Sequence, residues 1–183
     1  MMNKIILAGY GGQGMLLCGQ LLAYAAMNDG KHVTWLPSYG PEMRGGAASC
    51  SVVISEKPIG SPFVQNADAV VALNKPSFDK FHSSVKPGGS MIYNSSMIEA
   101  GELRDDIDYY AIDFTEIAIG LNNIRVANMV ALGSLNEVLQ CVDNKAIVEA
   151  LEHKFGEGKA HLIEINKTAI KKGVHAVKEV ALA

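Results

Sequence analysis

Six residues near the N-terminus, Gly9-Tyr10-Gly11-Gly12-Gln13-Gly14, constrain this chain more than any other stretch. They follow the apolar run Lys4 to Ala8 and precede a segment in which Leu17, Leu21, Leu22 and Ala25 fall on one helical stripe. A short, continuously apolar run that ends in glycine predicts a strand buried on both faces, the kind found in parallel sheets. The stripe predicts a helix from Gly12 to Asn28, stopped by Asp29-Gly30. His32 to Leu36 is a second strand. Strand, helix, strand in that order is a βαβ unit, expected to be right-handed.

The remaining chain repeats short apolar strands and then turns helical. Pro37 to Gly46 reads as a loop, Ala47 to Ile54 as a strand, and Ala69 to Leu73 as another buried strand. A short helix is expected over Lys75 to Ser83, a turn at Pro87-Gly88-Gly89, and strands at Ser90 to Tyr93 and Tyr109 to Ile112. A further short helix follows near Thr115 to Ile119. Beyond Asn128 the apolar spacing is helical, with Met129, Leu132, Leu135, Val138 and Leu139 as one stripe. Asp143 is placed to cap a helix that Gly156 ends, and Ile163 to Val180 forms a last helix containing Gly173. The fold expected is α/β, an open, mostly parallel sheet flanked by helices with a helical C-terminal section, in one domain over residues 1–183.

Each glycine of the first loop has a physical reason to be there. In the Gly-x-Gly-x-x-Gly pattern, Gly9 permits the tight turn, Gly11 lets backbone approach a phosphate, and Gly14 lets the helix pack close to the sheet. The helix start then offers free N–H groups and a positive dipole end to an anion. Two companions of such loops are missing. Dinucleotide folds end the second strand with an acid that holds the ribose hydroxyls, but here that strand runs Thr34-Trp35-Leu36-Pro37-Ser38. No Walker-type lysine follows Gly14.

A second glycine-bearing stretch, Ser38-Tyr39-Gly40-Pro41-Glu42-Met43-Arg44-Gly45-Gly46, lies just past the second strand. Loops at strand C-termini converge on the ligand crevice of an open α/β sheet, so the two loops are expected to be neighbours. There Arg44 could pair with a phosphate or carboxylate, Gly45 and Gly46 could allow close backbone approach, and Tyr39 could stack and donate its hydroxyl.

Composition narrows the function. The 183 residues are 49% hydrophobic and 19% charged with a net charge of -3, a globular make-up with no basic face for nucleic acid. No apolar run approaches a membrane span, and the first residues lack the features of a secretory signal. Cys18, Cys50 and Cys141 are too scattered for a disulfide framework, a zinc site or an iron–sulfur signature, which suits reduced, buried thiols in a cytoplasmic protein. His32, His82, His153, His161 and His175 have no metal spacing, and no nucleophile elbow is present. Arg104-Asp105-Asp106 reads as a solvated turn. No self-sufficient catalytic set emerges.

Together with Asn128-Met129-Val130-Ala131-Leu132-Gly133, the two loops closely resemble the gamma subunit of the 2-oxoacid:ferredoxin oxidoreductases, over essentially the whole chain. The resemblance implies a Rossmann-like fold in a complex that decarboxylates pyruvate, 2-oxoglutarate or a branched-chain oxoacid on thiamine diphosphate. Electrons would pass through iron–sulfur clusters to ferredoxin and the acyl group to coenzyme A. It also implies alpha and beta partners, and in some complexes a ferredoxin-like delta subunit, which hold the thiamine and the clusters; a homodimer of the chain is left open. Gly9, Gly11, Gly12, Gln13, Gly14, Ser38, Tyr39, Arg44, Gly45 and Gly46 become the candidate coenzyme A or anion site. Gly133 is expected to permit close helix packing and Asn128 to cap its helix. A stand-alone nucleotide-dependent oxidoreductase and a ligand-free scaffold subunit are the competing readings.

Overall fold

The structure, a computed structural model, describes residues 1–40, 46–156 and 160–180. Its centre is a six-stranded sheet: β1 (Met2–Tyr10), β2 (His32–Tyr39), β3 (Ala47–Ser55), β4 (Ala67–Ala72), β5 (Val85–Asn94) and β6 (Asp108–Ile112). The strands lie in the order β2-β3-β1-β4-β5-β6. β1, β4, β5 and β6 are mutually parallel, while β3 is antiparallel to both of its neighbours, β1 and β2. β1 and β2 therefore run the same way, as a βαβ unit requires, but β3 is inserted between them. The sheet is mixed and mostly parallel.

Side chains of the inner strands alternate between two cores. Ile5, Leu7, Val71 and Ile92 face the larger one, under α1 (Met15–Asn28), α3 (Phe114–Gly120), α4 (Ala127–Leu139), α5 (Asn144–Phe155) and α6 (Ala160–Val180). Ile6, Val70, Met91 and Tyr93 face the smaller one, which α2 (Lys75–Phe81) covers with Phe78. Burial on both faces is why these strands read as unbroken apolar runs.

Three loop assignments need correction. The stretch expected to be loop from Pro37 is strand as far as Tyr39, with Pro37 opposite Cys50. A proline is tolerated there because β2 is an edge strand and one side of its ladder needs no donor. The Pro87-Gly88-Gly89 turn is a bulge within β5: the pairing advances from Ala67 to Ala69 on β4 while β5 moves from Val85 to Ser90. Gly88, at φ +71°, supplies the backbone conformation this needs. Nor is Arg104 simply solvated: its guanidinium pairs with Asp106 at 2.7 Å and donates to the carbonyls of His82 (3.1 Å) and Val85 (3.0 Å). That pins the connection between β5 and β6 onto the end of α2.

The helical expectations hold more closely. Asp143 caps α5 by accepting from the Lys145 N–H at 2.8 Å, and Gly156 ends that helix at φ +65°. Helix α6 starts at Ala160, three residues before the expected Ile163. It crosses α4 through two glycines. A Cβ on Gly133 would stand 2.1 Å from the Ile170 carbonyl oxygen, and one on Gly173 would stand 2.0 Å from that of Val130. Ser134 closes the crossing by donating to both Val130 O (3.1 Å) and Gly173 O (3.0 Å). Gly173 thus breaks a propensity rule for a packing reason.

All three cysteines are free and buried. Burial pushes the Cys50 thiol up to about 12 and the Cys141 thiol up to about 11, and it raises Cys18 as well. Among the described residues no helix is long and apolar enough to cross a membrane.

Two outcomes are expected. Gly173→Ala should lower the unfolding free energy in urea by about 2 kcal/mol or more, because the backbone of α4 cannot move away from a new methyl. The three thiols should resist a disulfide reagent at pH 8 in the folded protein and react together once denaturant is added. Because their folded pKa values are raised, the neutral thiols contribute stability below about pH 8.5, and that contribution fades as pH rises towards the folded values.

Candidate functional site

The chain leaves β1 for α1, on the larger core, and leaves β4 for α2, on the smaller one. β1 and β4 are parallel neighbours, so their connections part to opposite faces and open a crevice beyond their C-terminal ends. The glycine loop sits in that crevice. Leu73, just past β4, ties the two strands there by donating its N–H to Ala8 O at 3.0 Å.

The two loops named from sequence are in contact. Gly11 N–H donates to Gly46 O at 2.8 Å, and Gly40 N–H donates to Ala47 O at 2.8 Å at the base of the β2–β3 hairpin. Ser38 and Tyr39 line the same hollow as Gly9 and Tyr10. Arg44 and Gly45, with Pro41, Glu42 and Met43, lie outside the described residues.

Within the first loop the glycine roles differ from expectation. Gly9 leaves room for a side chain rather than for a turn: a Cβ there would lie 2.7 Å from Gln13 Oε1. That oxygen accepts from the Tyr10 N–H at 2.6 Å and from Asn74 Nδ2 at 3.1 Å. Asn74, 2% exposed, in turn caps α2 by accepting from Ser77 N–H at 2.9 Å. The left-handed conformations fall on Gly12 (φ +99°) and Gly14 (φ +78°). Gly12 faces open space, whereas a Cβ on Gly14 would be 2.3 Å from Asn128 Nδ2. Gly14 therefore admits the side chain of α4, not the sheet.

Asn128 is correspondingly not a cap; Val126 holds the N-cap position of α4. Its Nδ2 donates to Gly14 O at 3.3 Å and its carbonyl accepts from Cys18 Sγ at 3.0 Å. The side chain fastens the start of α4 to the start of α1.

Two hollows flank the loop. One, of about 170 Å³, lies on the α2 side between Tyr10, Tyr39, Lys80 and Phe81. The other, of about 260 Å³, lies on the α4 side between Gly12, Gln13, Asn94, Thr115, Arg125 and Asn128. The hydrogen bond from Asn74, in the first lining, to Gln13, in the second, separates them. Among the described residues neither lining holds an acid and each holds one cation, Lys80 or Arg125, so both favour an anion. Sequence reasoning passed over Lys80, Asn94, Thr115 and Arg125. They stand 66 or more residues beyond the glycine loop in the chain, with ordinary local patterns, and only the sheet brings them to it.

The inserted β3 also accounts for the missing ribose acid. Next to β1, where a dinucleotide fold places the end of its second strand, this sheet presents the start of an antiparallel strand, Ala47-Ala48-Ser49. The carboxylate position of that fingerprint is absent by topology.

Gly14→Ala should destabilise the protein by about 2 kcal/mol or more in denaturant titrations, combining left-handed strain with overlap on Asn128. Gly12→Ala, strained but unobstructed, should cost about 1 kcal/mol.

Over residues 4–176 the chain matches the pyruvate ferredoxin/flavodoxin oxidoreductase family. It is 38% identical over 179 residues to the ketoisovalerate oxidoreductase subunit VorA of Methanothermobacter thermautotrophicus, covering 96% of this chain and 36% of that protein. The chain thus spans about a third of the length of the VorA relatives it matches. With the 2-oxoglutarate synthase subunit KorC of Methanocaldococcus jannaschii it shares 35% identity over 182 residues, 98% of this chain and 96% of that one. Among solved structures, the 2-oxoglutarate:ferredoxin oxidoreductase of Magnetococcus marinus superposes with a TM-score of 0.90 at 27% identity, over 97% of this chain and 31% of that one. The gamma subunit of the keto/oxoacid ferredoxin oxidoreductase of Geobacter sulfurreducens gives 0.81 at 29% identity, over 97% and 99%. The family match and these likenesses agree: the chain belongs to the pyruvate ferredoxin/flavodoxin oxidoreductase family, as its gamma-type domain.

Proposed function

We propose that the chain serves, as one domain, in a cytoplasmic 2-oxoacid:ferredoxin oxidoreductase that converts a 2-oxoacid and coenzyme A to an acyl-CoA and carbon dioxide, passing electrons to ferredoxin. Its own part is to hold an anionic group of coenzyme A and to dock alpha and beta subunits, with a ferredoxin-like delta subunit in complexes that have one. The observation that carries this reading is the meeting of the two loops at the crevice, through the Gly11 to Gly46 bond. Full-length likeness to a 2-oxoglutarate synthase subunit supports it. So does likeness to the Magnetococcus marinus enzyme, whose structure has 2-oxoglutarate, coenzyme A and succinyl-CoA bound.

The residues present fit a phosphate-bearing group. The first-turn amides of α1 have no side-chain cap and no acid beside them. Gly12 presents its backbone to open space, with no Cβ in the way. Lys80 and Arg125 supply charge on either side. Arg44 joins them in this reading as a substrate- or cofactor-facing cation from the second loop. Thiamine diphosphate supplies the decarboxylation chemistry and is assigned to the partner subunits, as are the iron–sulfur clusters. This chain's thiols are occupied in separate packing contacts, Cys18 on Asn128 O and Cys50 on Met15 O. The relatives are named for ketoisovalerate, 2-oxoglutarate and pyruvate, so the proposal is made for the 2-oxoacid class.

Purification of the native protein from its own cells decides the matter. It should bring alpha and beta subunits and a coenzyme A-dependent activity with one of the three 2-oxoacids. A chain that elutes alone, or that oxidises a substrate with a nicotinamide cofactor by itself, would sink the reading. Within the complex, Arg44→Ala should raise KM for coenzyme A about tenfold with assembly retained, the loss of one charge-assisted hydrogen bond.

A further inference from the structure

Parallel strands need a crossover between them, and a helix usually supplies it. β5 and β6 are parallel, yet residues 95–107 between them contain no helix. This strap is held instead by its side chains and a few backbone bonds. Ile98 and Ile107 anchor it in the smaller core. At the crevice end Ser96 bonds Asp113, and Met97 N–H donates to Asn94 O at 3.1 Å. The far end is tied by a cluster against the end of α2. Arg104 donates from its guanidinium to the carbonyls of His82 and Val85, and from its backbone N–H to the Tyr109 hydroxyl oxygen at 2.9 Å. Gly88 N–H donates to Asp106 O at 2.7 Å. His82 completes the cluster. Its ring stacks on the buried Phe78, with centroids 5.1 Å apart, and its Nε2 is hydrogen-bonded to the Tyr109 hydroxyl. The hydroxyl oxygen already accepts from Arg104, so the hydroxyl hydrogen lies in the bond to Nε2. Nε2 is therefore the acceptor, and the network is built for a neutral imidazole.

We infer that His82 is a proton-sensitive latch for this strap: neutral, it holds residues 95–107 to the end of α2 through Tyr109, and protonated, it lets them go. An imidazolium here would make Nε2 a second donor to the Tyr109 oxygen and drive the hydroxyl hydrogen from its acceptor. It would also stand beside the guanidinium that grips the carbonyl of His82 itself. The other groups facing the ring do not offset this. Lys75 and Asp79 of α2 are paired with each other, as are Arg104 and Asp106 of the strap. β6 presents Tyr109, and β5 presents Tyr93 across Phe78, both neutral. Partial burial, and after it the Arg104 charge, hold the His82 ring below its ordinary range. The lowered folded value sets the direction of the switch. His82 contributes stability to the latched state above about pH 6.5, and that contribution is lost as pH falls through the folded value. The strap runs from the latch to the crevice, where Met97 lines the hollow on the α4 side, so release at one end loosens a wall of the hollow at the other.

The test is amide hydrogen exchange of the full-length chain between about pH 5 and pH 8, corrected for the intrinsic pH dependence of exchange, beside an NMR titration of the His82 ring. The N–H groups of Arg104 and Gly88, which tie the strap, should lose protection as pH falls through the value at which His82 titrates. By linkage the loss should reach about tenfold for each pH unit that separates that value from about 6.5. The β1 amides of Ile5 to Ala8 should stay protected throughout, which marks the opening as local. His82→Phe keeps a ring against Phe78 and removes the proton site, so protection of the strap should become independent of pH. Tyr109→Phe removes the donor to Nε2, so the His82 titration should move up towards its ordinary value; this variant decides if His82→Phe does not fold. Unchanged strap protection while His82 titrates overturns the inference. So does a pH dependence that persists in His82→Phe, or a His82 titration that Tyr109→Phe leaves in place. Loss of β1 protection in step with the strap also overturns it, since the acid event would then be global unfolding.

Discussion

β1 is hydrogen-bonded on both edges and buried on both faces, and the placement of every other functional element follows from that. With Ile5 and Leu7 in one core and Ile6 in the other, the strand can neither slip nor rotate without moving apolar side chains to the wrong side. Its end is consequently a fixed point. The glycine loop that follows inherits this rigidity, and Gln13 passes it on: one side-chain oxygen holds the Tyr10 amide and the Asn74 amide at once. Asn74 caps α2, and Asn128 fastens α4 to α1. Three amide side chains therefore lock three helix starts around one loop. This rigidity suits the proposed anion site, because backbone donors that rearranged on binding would lose much of their advantage.

Much of the fold was legible in the sequence because its signals are local. The buried strands Lys4 to Ala8 and Ala69 to Leu73 needed only their unbroken apolar character, and α5 needed only Asp143 and Gly156. What the sequence did not disclose depends on partners distant in the chain. Pro37 looks like a loop residue until β2 is known to be an edge strand. Gly88 and Gly89 look like a turn until their pairing with β4 shows a bulge. Gly133 was readable as a packing glycine, while its counterpart Gly173 emerges only where α6 crosses α4.

The site divides along the same line. Gly9 to Gly14, Ser38 to Gly46 and Asn128 to Gly133 are each continuous in the chain, and the resemblance they carried led to the right family. The roles of the individual glycines did not follow, because each depends on what stands opposite: Gln13 for Gly9, Asn128 for Gly14 and open space for Gly12. Arg125 and Thr115 carry no local pattern at all. Conversely, the absent acid after Leu36 was visible in the sequence but lacked a cause, and the inserted antiparallel β3 provides one.

Pro37 has a consequence for how copies and partners can assemble. An edge strand invites another strand to continue the sheet, and each unpaired N–H along it is a point of attachment. β2 is such an edge, and at Pro37, near the crevice end, it has no N–H to offer. An incoming strand would meet a missing rung there, two residues before the end of β2. Docking at this end is thereby biased away from strand addition and towards side-chain surfaces, keeping the mouth of the crevice from being sealed by a neighbouring sheet.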